Sequence, residues 1–275
     1  MDARLQRRVQ RYGWDKAAAS YESHWQRQLA PAQDRLLDLA ALQPGERVIE
    51  VAAGTGLVTF RAAALVGPSG AVTATDISDA MVARLSAEAA RRGAANVTAL
   101  RVEAEALDVP EGSFDAALCA LGLMYVPDAV AALTAMRRAL RPNGRAVVAV
   151  WGARSRCGWA EIFPIVDARV QSEVCPLFFQ LGTGDRLTAV LEEAGFEHVS
   201  CERLPSLLHY DSPDEACGAA FEGGPVALAY SRFDQATREA AHEEYLASIA
   251  SWRTGQSYDV PGEFVVARGH RRQEP

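Results

Sequence analysis

From residue 46 to about residue 151 the chain alternates short apolar runs with longer stretches of helical spacing. Arg47 to Ala52 is an apolar run that predicts a strand, and Leu57 to Leu65 is an alanine-rich helix stopped by Gly67-Pro68. Ala71 to Thr75 predicts strand two, followed by Asp76. Ser78 stands where it caps a helix running to Arg92, which stops at Gly93. Val97 to Val102 and Phe114 to Ala120 predict strands three and four. Ala129 to Leu140 predicts a helix closed by Arg141-Pro142-Asn143-Gly144, and Arg145 to Trp151 is strand five. Strands separated by helices of this length predict right-handed βαβ units and a parallel sheet. Their unbroken apolar runs fit strands covered on both faces.

The two ends of the chain follow other patterns. Residues 1–45 read as an N-terminal helical cap. Tyr12, Trp14, Tyr21 and Trp25 precede Pro31, and a second helix of about Gln33 to Ala41 ends at Gln43-Pro44-Gly45. After Trp151 the rhythm loosens. Asp185 to Ala194 predicts an amphipathic helix with Gly195 as its stop, Phe196 to Leu204 alternates like a strand, and Val260 to Arg268 predicts a last strand. The expected organisation is one sheet domain over residues 46–275 with helical insertions at about 152–182 and 209–258. The later insertion reads as a lid, because it offers little apolar surface for a core of its own.

Composition narrows the partners. The chain has 275 residues, of which 49% are hydrophobic and 23% charged, which suits one large domain or a domain with a sizeable insertion. A net charge of −7 repels phosphate backbones, so nucleic acid is not an expected partner. The basic run Arg268 to Arg272 is expected to be a solvated tail. Five cysteines (Cys119, Cys157, Cys175, Cys201 and Cys217) are odd in number and none forms a CxxC pair. That argues against a disulfide framework or a structural zinc, and predicts reduced, mostly buried thiols. No metal is expected. The N-terminus has no apolar run, and no stretch reaches the length of a membrane span, so a soluble cytoplasmic protein is expected. The oligomeric state stays open.

Val48 to Phe60, VIEVAAGTGLVTF, reads as strand, glycine turn and helix start. A dinucleotide fingerprint needs GxGxxG; here Gly54 and Gly56 are followed by Thr59, so the third glycine is missing. The GKS or GKT of a triphosphate loop is missing too. Glu50, at the end of the strand, would repel a pyrophosphate and attract an ammonium or sulfonium. Asp76 follows Gly56 by twenty residues, at the end of strand two, where a carboxylate can accept both hydroxyls of a ribose. Glu103 ends strand three. Three successive parallel strands thus each end in an acid, on the edge where open α/β sheets bind ligands.

With these features EVAAGTG, TATDIS, RVEAEALDVPEGSFDAALCALGLMYVPD and LRPNGRAVVAVWG resemble the successive motifs of class I S-adenosylmethionine-dependent methyltransferases. More closely they resemble the small-molecule branch that includes the ubiquinone and menaquinone C-methyltransferases. The resemblance is strong over about Val48 to Trp151 and loose elsewhere. It implies a Rossmann-like α/β fold with a seven-stranded, mostly parallel sheet in the order 3-2-1-4-5-7-6, strand seven antiparallel. It implies S-adenosyl-L-methionine as cofactor, leaving as S-adenosyl-L-homocysteine. Glu50 would meet the methionine end of the cofactor, Ala52, Gly54 and Gly56 would let backbone approach it, and Asp76 would bind the ribose. Ile77 and Met81 would pack near the adenine, Glu103 and Ala104 would border its amino group, and Leu121 would lie near the methyl group. Two departures stand out. Ala52 replaces the first glycine of the usual motif. Met124-Tyr125 stands where many members carry histidines, so histidine-based proton transfer there is absent.

Methyl transfer from a sulfonium is an in-line displacement that must exclude water. An oxygen or acidic carbon nucleophile needs a base; a neutral amine or a thiolate does not. Tyr125, His24, His209, His242 and Tyr21 are the polar groups available, with Tyr125 and His24 as the catalytic candidates. The segment ALCALG lacks the DPPY or NPPY motif that grips an exocyclic or amide nitrogen, and no double-glutamate hairpin is evident. Trp14, Trp25, Trp159, Phe163, Phe178, Phe179 and Phe221 fall in the presumed lid segments and point to an apolar, enclosed pocket. The expected reaction is methyl transfer to a small hydrophobic or aromatic metabolite. Two other readings compete: a non-catalytic protein that binds S-adenosylmethionine without transferring its methyl group, and a dinucleotide-dependent oxidoreductase.

Overall fold

The structure is a computed structural model that describes residues 3–170 and 177–272. At its centre lies a parallel set of strands: β1 (Arg47–Val51), β2 (Ala71–Asp76), β3 (Val97–Arg101), β4 (Phe114–Ala120) and β5 (Leu140–Trp151). β6 (Phe196–Tyr210) and β8 (Ser257–Arg271) complete it, and a two-residue arm, β7 (Arg253–Thr254), pairs only with β8. The order is β3-β2-β1-β4-β5-β8-β6, with β8 antiparallel to both neighbours. Once the short arm is set aside, this is the expected order, with the last long strand antiparallel. β1 and β4 are buried along almost their whole length, as their unbroken apolar runs require.

Helices α3 (Thr59–Val66), α4 (Asp79–Arg92), α5 (Ala129–Ala139) and α7 (Arg186–Glu193) connect the strands. Ser78 caps α4 by accepting from the Met81 N–H at 3.1 Å, and Gly93 ends it with φ +64°.

Four expectations change in the structure. After α1 (Ala3–Ala17), α2 runs unbroken from Tyr21 to Ala40 and contains Pro31 rather than stopping before it. Pro31 is exposed, while Trp25, Gln28 and Leu29 before it and Ala32, Leu36 and Leu37 after it are buried. Burial of one continuous face holds the two halves in line, so the lost hydrogen bond falls on the solvent side. β5 begins at Leu140, where the turn was expected, with a register shift opposite Phe114 and Ala116 and Asn143 at φ +62°. β6 continues to Tyr210 because β8 pairs with it all the way to Tyr258; Pro205 is tolerated because β6 is an edge strand. Finally, the basic run at Arg268 to Arg272 is not a solvated tail. Arg268, Gly269 and His270 are paired in β8, and Arg271 donates to the carbonyls of Arg138 at 3.0 Å and Leu140 at 2.6 Å.

The insertion between β6 and β7 folds into α8 (Pro213–Phe221), α9 (Ala227–Tyr230) and α10 (Gln235–Ser248). Phe221, Tyr230 and Tyr245 of these helices are buried in the same continuous core as β1, β4 and β5. A short helix, α6 (Ile162–Asp167), brings Phe163 into it as well. Cys119, Cys157 and Cys217 are buried free thiols and Cys201 is exposed; Cys175 lies outside the described residues. No helix among the described residues is long and apolar enough to cross a membrane.

Candidate functional site

The carboxyl ends of β1, β2 and β4 open into a cleft roofed by α1. At the end of β1 the chain turns through left-handed backbone at Ala52 (φ +56°), Gly54 (φ +56°) and Gly56 (φ +99°). Gly56 admits no side chain: a Cβ there would lie 2.7 Å from the Phe60 ring and 3.1 Å from Leu85. Around Gly54 the nearest atom to such a Cβ is on Tyr21 at 3.8 Å, so backbone faces open space. Ala52 is the alanine that replaces the first glycine of the motif. Its methyl group is housed by Gly122, where an added Cβ would come within 2.3 Å of it. Leu121, next to Gly122 and just past β4, is also left-handed, at φ +61°. Two non-glycine residues in left-handed backbone thus stand at the tips of adjacent strands.

The acids are held tightly. Asp76 accepts from the N–H of Gly54 and of Ser78, both at 2.9 Å, so it ties the glycine turn to the start of α4. Glu50 is 2% exposed and accepts from the Thr59 hydroxyl at 2.5 Å. Burial pushes the Glu50 carboxyl up to about 8, against the pull of the Thr59 hydroxyl and with the help of the Asp76 charge. Burial likewise lifts Asp76 to about 6, against the two N–H groups it accepts. Two carboxyls thus sit next to the glycine turn with too little compensation, which suits a cationic or hydroxyl-rich guest. The Thr55 hydroxyl, between the two glycines, is buried with no hydrogen-bond partner among the described residues.

The cleft collects most of the expected residues. Ala52, Gly54, Asp76, Ile77, Met81, Ala104, Leu121 and Tyr125 all line it. Glu50 and Gly56 lie behind the lining, where they shape the turn. Glu103 is displaced: its carboxylate is 40% exposed and lies 3.6 Å from Arg7, while Glu105 lines the cleft and accepts from the same guanidinium at 3.3 Å. His24 does not join the site. It packs against the Cα positions of Gly218 and Gly223, because α2 turns that face toward α8. His209 is held at the surface between Asp259 at 2.6 Å and Asp211 at 3.0 Å, and His242 meets the Tyr230 hydroxyl at 3.0 Å.

Sequence reasoning passed over Arg7 and Gln10, which line the cleft from α1 together with Trp14. Their spacing of three and four residues places them on one helical face, and that periodicity was the available signal. Helix α1 is fastened by Asp15, which accepts from the Ser78 hydroxyl at 2.6 Å and the Ala80 N–H at 3.1 Å, and by an Arg11–Asp79 ion pair.

Beyond Tyr125 a second cavity continues from the cleft. Trp14, Tyr21, Leu121 and Tyr125 border both spaces. Trp25, Trp151, Trp159 and Phe178 close the far side. The rings meet mostly edge to face: Trp14 lies 5.1 Å from Tyr125, Tyr125 5.4 Å from Phe178, and Trp151 4.8 Å from Trp159. Phe163 and Phe179 stand behind Phe178, at 4.9 Å and 4.7 Å. Phe221 packs with Tyr230 and Tyr245 instead, so it belongs to the core of the insertion and not to the cavity.

Comparison with known proteins agrees with this geometry. Residues 48–144 match a family model described as a methyltransferase domain. The chain is 36% identical over 132 residues to nocamycin O-methyltransferase of Saccharothrix syringae, a match covering 48% of this chain and 47% of that enzyme. It is 33% identical over 184 residues to the ubiquinone/menaquinone biosynthesis C-methyltransferase of Methylobacterium nodulans, covering 59% of this chain and 71% of the relative. The chain thus spans about half the length of the first of these relatives. Among solved structures, the YcgJ protein from Bacillus subtilis superposes with a TM-score of 0.62 at 17% identity, over 89% of this chain and all of that one, which shows a shared fold.

Proposed function

We propose that this chain, which belongs to the class I S-adenosylmethionine-dependent methyltransferases, transfers the sulfonium methyl group to a small, aromatic or otherwise apolar acceptor. The observation that carries the reading is the junction of two unlike spaces. A cleft with Asp76 and the glycine turn at its floor opens, past Leu121 and Tyr125, into a cavity of aromatic rings.

In this reading Asp76 accepts the ribose hydroxyls, and Gly54 presents bare backbone to the nucleoside. Glu50 lies behind the turn, where its carboxyl, held protonated by burial in the free protein, ionises more readily beside the ammonium end of the cofactor. Ile77 and Met81 cover the adenine, with Ala104 and Glu105 at its edge. When bound, the cofactor supplies an electrophilic methyl group on a positively charged sulfur. The protein's part is alignment and exclusion of water. Trp14, Tyr21, Leu121 and Tyr125 stand at the boundary of the two spaces, so they orient the acceptor toward the methyl group. Of the two catalytic candidates Tyr125 borders the cavity, where its hydroxyl can hydrogen-bond the acceptor's reacting group; His24, packed against α8, does not. The two relatives methylate oxygen and carbon respectively by their names, and either atom on a conjugated acceptor fits an aromatic cavity.

Calorimetric titration with S-adenosylhomocysteine and, separately, with NADH tests the cofactor half. Micromolar binding of the first and none of the second is expected; NADH binding alone would overturn the proposal. Transfer of radiolabelled methyl from S-adenosylmethionine to a panel of phenolic and enolic aromatics tests the other half. Tight cofactor binding with no transfer to any of them would favour a non-catalytic binding protein.

A further inference from the structure

Among the described residues a few buried polar side-chain atoms have no hydrogen-bond partner, and two of them are the indole nitrogens of Trp25 and Trp159. Both residues are nearly inaccessible, at 5% and 2% exposure, and both line the aromatic cavity. Native proteins seldom leave a buried donor unmatched, so each such donor calls for a partner. The two rings are neighbours, 6.1 Å apart at 70°. On the Trp25 side the edge of the ring that carries the nitrogen packs against a glycine: a Cβ at Gly223 would lie 3.0 Å from it. The far walls, Leu29, Met124, Trp151 and Phe178, are apolar or aromatic, while the hydroxyl-bearing Tyr21 and Tyr125 stand at the boundary with the cleft, so on the far side the two indoles are the polar groups.

We infer that Trp25 and Trp159 are specificity-determining donors for an aromatic acceptor that carries a carbonyl oxygen beside its ring. Resting on the acceptor reading above, the inference narrows it: hydrocarbon shape fills the cavity, and a hydrogen-bond-accepting oxygen selects what stays. A site built to donate rejects an analogue lacking the oxygen more strongly than it rejects a change in apolar bulk.

The test uses two matched probes, 2-acetyl-1-naphthol and 2-ethyl-1-naphthol, titrated into the full chain saturated with S-adenosylhomocysteine. The wild type is expected to prefer the acetyl compound by tenfold or more. Trp25→Phe and Trp159→Phe each keep an aromatic ring but remove the N–H. Each is expected to cut the preference to about threefold or less while the ethyl compound binds within about twofold of its wild-type affinity. S-adenosylhomocysteine affinity, measured on every variant, reports the fold and the cofactor site separately. If the wild type does not bind S-adenosylhomocysteine, the methyltransferase reading fails; if it binds and the preference survives in both variants, only the donor assignment fails. A readout on the wild type needs no variant: with 15N-indole tryptophan, two indole N–H resonances should move downfield with the acetyl probe and not with the ethyl probe. No such movement overturns the inference, as does failure of both probes to bind the loaded wild type.

Discussion

The two halves of the cleft are made differently. The half at the ends of β1, β2 and β3 draws its floor from residues close together in the chain, from Glu50 to Glu105, and meets α1 above it and the tip of β4 at its side. It works through backbone: left-handed turns, N–H groups bound to Asp76, a glycine pressed against Phe60. The aromatic half draws its walls from α1 and α2, the end of β4, the end of β5 and the segment before α7, and it works through ring faces. Backbone geometry at the first half is set atom by atom, so a single methyl group disrupts it. Ring packing at the second half depends on volume and tolerates exchange of one large side chain for another. A fold divided in this way keeps one cofactor while its acceptor changes.

That contrast is broken most sharply at Gly122→Ala. The new Cβ would fall 2.3 Å from the methyl of Ala52, and Ala52 is already fixed in left-handed backbone. Overpacking of this kind costs about 2–3 kcal/mol, which lowers the melting temperature of a chain this size by roughly 4–12 °C. Adding Ala52→Gly should restore most of it, because it removes the opposing methyl and the strain together. A Gly122→Ala variant as stable as the wild type would show that the two strand tips are not in contact. Asp76→Ala comes next. It removes the ribose acceptor and leaves the Gly54 and Ser78 N–H groups unmatched, so affinity for S-adenosylhomocysteine should fall by about 1–3 kcal/mol. Unchanged affinity in calorimetry would sink the ribose assignment.

A subtler difference separates the halves in pH. Both carboxyls of the polar half are raised above their unfolded values, Asp76 to about 6 and Glu50 to about 8. Each folded carboxyl therefore holds its proton more firmly than the unfolded chain does. The associated stability is complete below about pH 4 and is lost as pH rises through about 6 and then about 8. The free protein should lose melting temperature between about pH 5 and pH 9. In Glu50→Gln the upper part of that decline should disappear. Parallel melting curves for the two proteins would remove Glu50 from the account.

Much of this was legible in the sequence, and the division between the halves explains how much. Alternation of apolar runs and helical stretches gave β1 to β4 and the capped helix α4 nearly to the residue, because each is short and locally bounded. Three of the acids stood out by their spacing alone, though Glu103 yielded its place at the cleft to Glu105, two residues on. Pro31 misled because propensity is local while the buried face of α2 is not. The basic run at the C-terminus misled for the same reason: β8 absorbs it through pairing with β5, a contact more than a hundred residues distant in sequence. The aromatic half could be anticipated only as a population. Nothing local distinguishes Trp159, at the cavity, from Phe221, in the core of the insertion; the choice is made by tertiary packing.

The smallest effect expected tests how α1 roofs the polar half. Arg7 reaches Glu105 at 3.3 Å and Glu103 at 3.6 Å, all three groups partly open to solvent. Exposed pairs of this kind are worth about 0.5 kcal/mol and are screened by salt. The stronger fastening of α1 is the pair of hydrogen bonds that Asp15 accepts from Ser78 and Ala80. Arg7→Ala should therefore weaken S-adenosylhomocysteine binding by only about two- to threefold at low ionic strength, and by nothing measurable near 0.5 M salt. A loss of tenfold or more that persists in high salt would mean that Arg7 touches the cofactor itself. The roof would then belong to the binding site, and the contrast between a backbone-built floor and an adaptable cover would have to be redrawn.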